Sequence, residues 1–224
     1  MRLVERRAAL EFYVRVKEHV IRAGFAWELD WQEQLSLERA TASHVLREQA
    51  WVVLSSGMRA TVVAGLFDRV SGAFCDWDPD GIQENPSRCI AEAMHAFAHA
   101  GKLSAIAANC LMLSEDGLEP WKRALLAHGP PWLMRFRYIG PVTCWHLAKN
   151  IGLDVVKPDR HLVRMARASG MRDVTSFCSL FAQMTGDRLA VVDLVLWRYA
   201  TLRPDYVAEI RALGLVGARW RGQS

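Results

Sequence analysis

No paired-cysteine motif, no apolar run of membrane-spanning length and no internal repeat occurs in these 224 residues. The five cysteines, Cys75, Cys89, Cys110, Cys144 and Cys178, are odd in number, scattered and free of any C-x-x-C pair. They are expected to be reduced and structural, and the chain should fold without disulfides or a metal. The most apolar stretches, Trp51 to Leu54 and Leu189 to Trp197, are far shorter than the roughly 20 residues that cross a bilayer. With a charged N-terminus from Arg2 onward, a cytoplasmic protein without membrane contact is expected. A strong charge of one sign is lacking too. A net charge of +4 and a pI near 8.9 tolerate a polyanionic partner without requiring one. His95 and His99 share a metal-ligand spacing of four, but no acid lies between them and no third ligand accompanies them, so a structural or exposed pair is expected.

What is present is a large apolar complement: 51% of residues are hydrophobic, with nine Trp and eight Phe. This is enough for one large domain or for two small helical lobes. Apolar residues recur at three- and four-residue steps almost everywhere and strand patterns are missing, which predicts an all-α fold. A first helix should run from Glu5 to Ile21 and stop at Gly24, followed by a Trp-rich connector from Trp27 to Trp31. The next helix is expected over about Leu37 to Ser55, ending in the small-residue loop Ser55-Ser-Gly57, with another beginning near Met58. Further helices are expected at about 86–99, 102–114 and 118–127. After the break at Gly129-Pro-Pro131 come a short helix from Trp132 to Phe136, a turn at Tyr138-Ile-Gly-Pro141 and a helix from Val142 to Ile151. An extended connector from Leu153 to Lys157 leads to a helix opening at Pro158, and helices at about 175–184, 187–201 and 204–213 complete the chain.

Function concentrates between residues 132 and 172. Arg135, Arg137, Lys149, Lys157, Arg160, Arg164, Arg167 and Arg172 lie there with only Asp154 and Asp159 as acids, an excess that suits phosphate contacts or forms a solvated basic face. Two helices joined by a tight hydrophobic-Gly turn leave backbone N–H groups at a helix start, where they can hold a DNA phosphate without reading sequence. Phe136-Arg-Tyr-Ile-Gly-Pro-Val-Thr-Cys144 has that form, and about twenty residues after its glycine comes Lys157-Pro-Asp-Arg-His-Leu-Val-Arg164.

Taken together, these two segments resemble the helix-hairpin-helix DNA glycosylase superfamily, the relatives of endonuclease III. Ile139, Gly140, Val142 and Thr143 match the second half of the family's hairpin, placed at about 132–151, and Asp159, His161 and Arg164 match its second motif in kind and spacing. Tyr138 stands where the first hairpin glycine usually sits. The resemblance implies one unit over 1–224, with a lobe at 37–127, a hairpin-bearing lobe made of 1–36 and 128–224, and an active-site cleft between them. It implies a monomer acting on double-stranded DNA that carries a modified base. Asp159 would be the catalytic carboxylate, stabilising the positive charge that builds on deoxyribose and positioning water. Its plain structural alternative is a helix N-cap. The lyase lysine of bifunctional members is replaced by Val142 and the four-cysteine iron–sulfur pattern is missing. A monofunctional enzyme without cofactor is therefore implied, with a monovalent cation at the hairpin carbonyls as the one ion the resemblance suggests.

The same resemblance makes Met58 or Arg59, after the Leu54-Ser-Ser-Gly loop, the wedge that fills the gap left by a flipped base. It also assigns DNA contacts to Arg137, Arg160 and Arg164, and phosphate contacts to the amides of Gly140 and Val142. Glu48, Trp51, Tyr138, Trp145 and His146 are candidates for a base pocket, although aromatic residues at helical spacing also serve as core, and Glu48 can equally lie on the wet side of its helix. Three other readings stay open: a non-catalytic hairpin module that recognises distorted DNA, a bifunctional lyase using Lys149 or Lys157, and a helical scaffold with a solvated basic surface.

Overall fold

A computed structural model describes residues 3–214, so the outermost residues of the expected 1–224 unit, 1–2 and 215–224, lie outside the described ones. Among the described residues all regular structure is helical and no strand occurs. Thirteen helices follow in order: α1 (Leu3–Val20), α2 (Ala26–Gln34), α3 (Ala42–Ser55), α4 (Ala60–Ala73), α5 (Pro79–Glu84), α6 (Pro86–Ala93), α7 (Ala100–Asp116), α8 (Leu118–His128), α9 (Thr143–Asn150), α10 (Arg160–Ala168), α11 (Val174–Thr185), α12 (Leu189–Leu202) and α13 (Tyr206–Ala212). No helix is long and apolar enough to cross a membrane among the described residues.

Side-chain caps set six of these thirteen helix starts. Thr41 accepts a hydrogen bond from the His44 amide, which starts α3 at Ala42 rather than near Leu37. Asp78 and Asn85 each precede a proline and cap α5 and α6 in succession. The helix expected over 86–99 therefore stops at Ala93, and His99 instead caps α7, so His95 and His99 do not share a helix. The expected Trp27–Trp31 connector is helical. A π-type turn at Ile21–Phe25, relaxed by Gly24 at φ 92°, redirects the chain straight into α2.

Two compact units result: residues up to 34 together with those from 154 onward, and residues 35–153. The first unit is organised around α12, whose residues 190–196 are all buried and which packs on α1, α2, α10 and α11. Phe12, Tyr13, Phe177, Phe181 and Tyr199 fill its core, with Tyr13 stacked on Phe181 at 5.3 Å. The Tyr13 hydroxyl and the Lys17 ammonium both donate to Asp187, at 2.7 and 2.8 Å. The second unit packs α3 against α7 and α9, and α8 against the 3₁₀ turn Pro130–Arg135. Segment 128–153, expected in the lobe with the chain ends, belongs instead with 35–127. Phe136 lies flat on Trp121 of α8 at 5.8 Å and thereby fixes that segment to its neighbours.

One glycine is required by close backbone approach. Gly152, just past α9, has φ 102°, and a Cβ there would sit 2.4 Å from the Leu37 amide nitrogen. Gly152→Ala should therefore lower stability by more than about 1 kcal/mol from the left-handed backbone alone, with displacement of 36–37 added. Thermal unfolding of the two proteins measures this, and an unchanged melting temperature would contradict the close approach.

Candidate functional site

The hairpin turn sits on α7 and α8. Asn109, fully buried on α7, brackets residue 137: its Oδ1 accepts from the Arg137 N–H at 2.8 Å, and its Nδ2 donates to the Arg137 carbonyl at 3.1 Å and to Gln49 Oε1 at 2.9 Å. The next residue, Tyr138, takes φ 63°, the left-handed backbone a glycine would adopt there. Its exposed ring meets His99 edge-on at 6.2 Å. Its hydroxyl lies over Gly101, where a Cβ would come within 2.8 Å of it.

Beyond the turn, Ile139 is buried, and the Gly140 amide donates to Thr143 Oγ1 at 2.7 Å. The expected phosphate contact from the Gly140 amide is corrected by this bond, because that donor is already used. The amides of Val142 and Thr143, at the start of α9, make no hydrogen bond among the described residues. Pro141 has no amide hydrogen to offer. The open donors of this hairpin are thus Val142 and Thr143, with the Val142 side chain 43% exposed beside them.

The loop after α3 is held from the same helix. Lys102 on α7 is only 5% exposed, and its ammonium donates to the carbonyls of Leu54 at 2.9 Å and Ser56 at 2.6 Å. Gly57 turns with φ 74°, and Met58 and Arg59 stand exposed before α4. Sequence reasoning missed Lys102 and Asn109, and read His99 only as one of a structural or exposed pair with His95. A lysine at a helix start reads as surface, whereas Asn109 inside the apolar run Ala107-Ala-Asn-Cys-Leu-Met-Leu113 was a signal that a buried polar partner exists.

The pocket candidates do not converge. Glu48 is buried and does not lie on the wet side of its helix. Its Oε2 accepts from Asn150 Nδ2 at 2.8 Å and its Oε1 from Arg47 at 2.5 Å, while His44 Nε2 bonds the Asn150 carbonyl. Burial pushes the Glu48 carboxyl up despite these partners, since the Arg47 guanidinium is half in water and its field is screened. Trp51 meets Phe67 edge-on at 5.2 Å, in a ladder that continues through Trp77 to Phe74, which is core packing. Trp145 and His146 are half-buried on α9.

Asp159 lies in the other unit. The connector leading to it is tied to α12 by two carboxylates. Asp154 accepts from the Ala190 amide at 2.9 Å, and buried Asp193 accepts from the Lys157 amide at 2.7 Å. Asp159 then caps α10, its Oδ1 accepting from the amides of His161 and Leu162 at 2.9 and 3.1 Å. Its Oδ2 makes no hydrogen bond among the described residues, and the side chain is half-buried. His161 Nε2 accepts from Arg160, which places its proton on Nδ1 for the bond to the Tyr206 hydroxyl. Burial, aided by the Arg160 and Arg164 charges and opposed by Asp159, lowers the His161 pKa.

The basic excess is smaller in space than in sequence. Arg135 is paired with Asp116 at 2.6 Å and Lys149 is buried. Arg137 is exposed in one unit, and Arg160, Arg164, Arg167 and Arg172 are exposed in the other. No cluster of three or more metal-ligating side chains occurs among the described residues. Comparison with protein-family models, with curated proteins and with solved structures finds no match.

Two predictions follow from the buried polar groups. Asn109→Ala should cost about 2–3 kcal/mol by stranding the Arg137 backbone, and chemical denaturation reads this directly. For Glu48, a raised folded pKa stabilises fully below the ordinary carboxylate range and is lost as pH rises. Glu48→Gln, which keeps an acceptor for Asn150, should therefore gain stability relative to the wild type as pH rises above the ordinary carboxylate range. A melting-temperature difference that does not change with pH would refute the burial argument.

Proposed function

We propose that this chain is a monofunctional DNA glycosylase that flips a modified base out of duplex DNA and hydrolyses its N-glycosidic bond, leaving an abasic site. The observation that carries the reading is one pairing of motifs. A hairpin turn opens the Val142 and Thr143 amides at a helix start, and nineteen residues after Gly140 the Asp159 carboxylate keeps one oxygen unbonded.

The roles follow from charge. The open amides at the start of α9 take a phosphate oxygen, helped by the positive end of the helix. Asp159 Oδ2 faces the positive charge that grows on the sugar as the base departs and holds the water that completes hydrolysis. Capping assists this duty, because the two amide donors on Oδ1 fix the carboxylate in place. A lyase step needs an accessible amine. Val142 supplies none and Lys149 is buried, so half-buried Lys157 is the lysine of this segment on which a lyase step would depend, and water is the nucleophile of the proposed reaction.

The capping role of Asp159 also suits a non-catalytic hairpin module, and one substitution separates the two readings. Asparagine caps helices as well as aspartate, so Asp159→Asn keeps both Oδ1 hydrogen bonds while removing the charge. DNA binding and melting temperature should remain close to wild type, and base release should fall by about 10²- to 10³-fold. The assay scores alkali-labile sites in duplexes carrying uracil, hypoxanthine, alkylated purines, oxidised guanine or hydroxymethylated and glucosylated cytosine. Release that survives the substitution removes Asp159 from the chemistry. Silence across the panel, with salt-sensitive DNA binding retained, favours the binding module.

A further inference from the structure

A buried lysine is costly unless its charge is used, and Lys102 has no carboxylate partner among the described residues. Burial lowers its pKa, the direction that such a cost implies. A methionine would fill the same volume without a buried charge. What the ammonium provides is a two-point grip on the carbonyls of Leu54 and Ser56, where α3 ends and its unsatisfied oxygens carry partial negative charge. The loop tip gains little support from its own bonds, since Gly57 is left-handed and the Met58 amide reaches only back to the Ser55 carbonyl.

Lys102 is also placed where the second candidate DNA contact is anchored. Three residues earlier on the same helix start, the His99 ring meets Tyr138, and Gly101 lies under the Tyr138 hydroxyl. Two turns further along α7, Asn109 brackets the Arg137 backbone. Loop 55–59 and the hairpin turn are thus both referenced to one 17-residue helix, the loop through a charge and the turn through an amide and a ring.

We propose that Lys102 is a positioning residue that fixes loop 55–59 relative to the hairpin, so that Met58 or Arg59 enters the base stack while the hairpin holds the phosphate. The proposal rests on the glycosylase reading only for the purpose of the insertion. The geometry it assigns operates equally in a protein that recognises distorted DNA without cutting it. A wedge is useful only if stiff, because an extruded base returns unless its gap stays filled.

The test compares affinity for a duplex containing a stable abasic-site analogue with affinity for the intact duplex. Lys102→Met should reduce that preference about tenfold and change affinity for the intact duplex less than about twofold. Replacing Met58 and Arg59 together by alanine should reduce the preference similarly, and adding Lys102→Met to that variant should reduce it no further, as expected for residues acting through one loop. Should Lys102→Met not fold, Lys102→Gln carries the same comparison under the same criteria.

A preference that survives loss of the ammonium overturns the proposal. So does a loss that adds fully to that of the loop variant, an equal fall on intact DNA, or a wild-type protein with no preference for the abasic duplex. Base release, measured in parallel with Asp159→Asn, distinguishes the two failures. Release that persists unchanged in Lys102→Met overturns the positioning role and leaves the enzyme standing, whereas a Lys102-dependent preference without any release removes the enzyme and keeps the positioning role.

Discussion

The buried amide of Asn109 is the contact on which the hairpin-bearing unit depends. A backbone N–H and a backbone carbonyl at residue 137 are both turned inward, and each would cost about 1–3 kcal/mol if left unpaired. Asn109 satisfies both from one side chain and passes the remaining bond capacity to Gln49. With residue 137 pinned in this way, the next residue has little freedom, and Tyr138 is held in a left-handed backbone that a non-glycine residue adopts only when its surroundings determine it. The shape of the hairpin turn is thus set by a residue on another helix.

Carboxylates take the corresponding part in the other unit. Asp154 and Asp193 fix the connector to α12 through backbone amides, and Asp159 continues the series by capping α10. A cap and a catalytic carboxylate are compatible assignments for one side chain, because the amide bonds engage Oδ1 while Oδ2 stays open. The same bonds restrict the rotamer, the property that an electrostatic catalyst needs in advance of reaction.

Helix content was legible because periodicity follows burial, and here most apolar side chains do face a core. Legibility failed where polar contacts set the structure. Within α2 only Leu29 and Gln32 are buried, and the helix is held by the Arg198 pair with Glu28 and by Arg188 donating to the carbonyls of Gln32 and Glu33, contacts contributed from more than 150 residues away. The start of α3 was misread because Leu37 and Ala40 are apolar yet buried in the turn before the cap at Thr41. In the candidate site, the motif residues themselves were readable, including the unusual backbone position of Tyr138. Their supports were not: Lys102 and Asn109 act on backbone atoms, so even where Asn109 in an apolar run signals a buried polar partner, the residue pattern does not say which backbone group it holds.

The hairpin also differs from the simple image of a turn whose every amide points at a phosphate. Thr143 Oγ1 consumes the Gly140 donor, proline removes the next, and two amides remain beside an exposed Val142 and a Tyr138 ring that is 48% exposed. Of the nearby cations, Arg135 is neutralised by Asp116 and Lys149 is buried, which leaves Arg137 as the exposed charge of that segment. A surface with two directed donors, an exposed valine, an exposed tyrosine ring and one arginine would, under the proposed reading, grip a phosphate weakly and depend on shape for the rest. If the proposed DNA reading holds, such a surface would select backbone that is already distorted, because a deformed duplex brings an apolar sugar face and a phosphate to the same small surface at low cost.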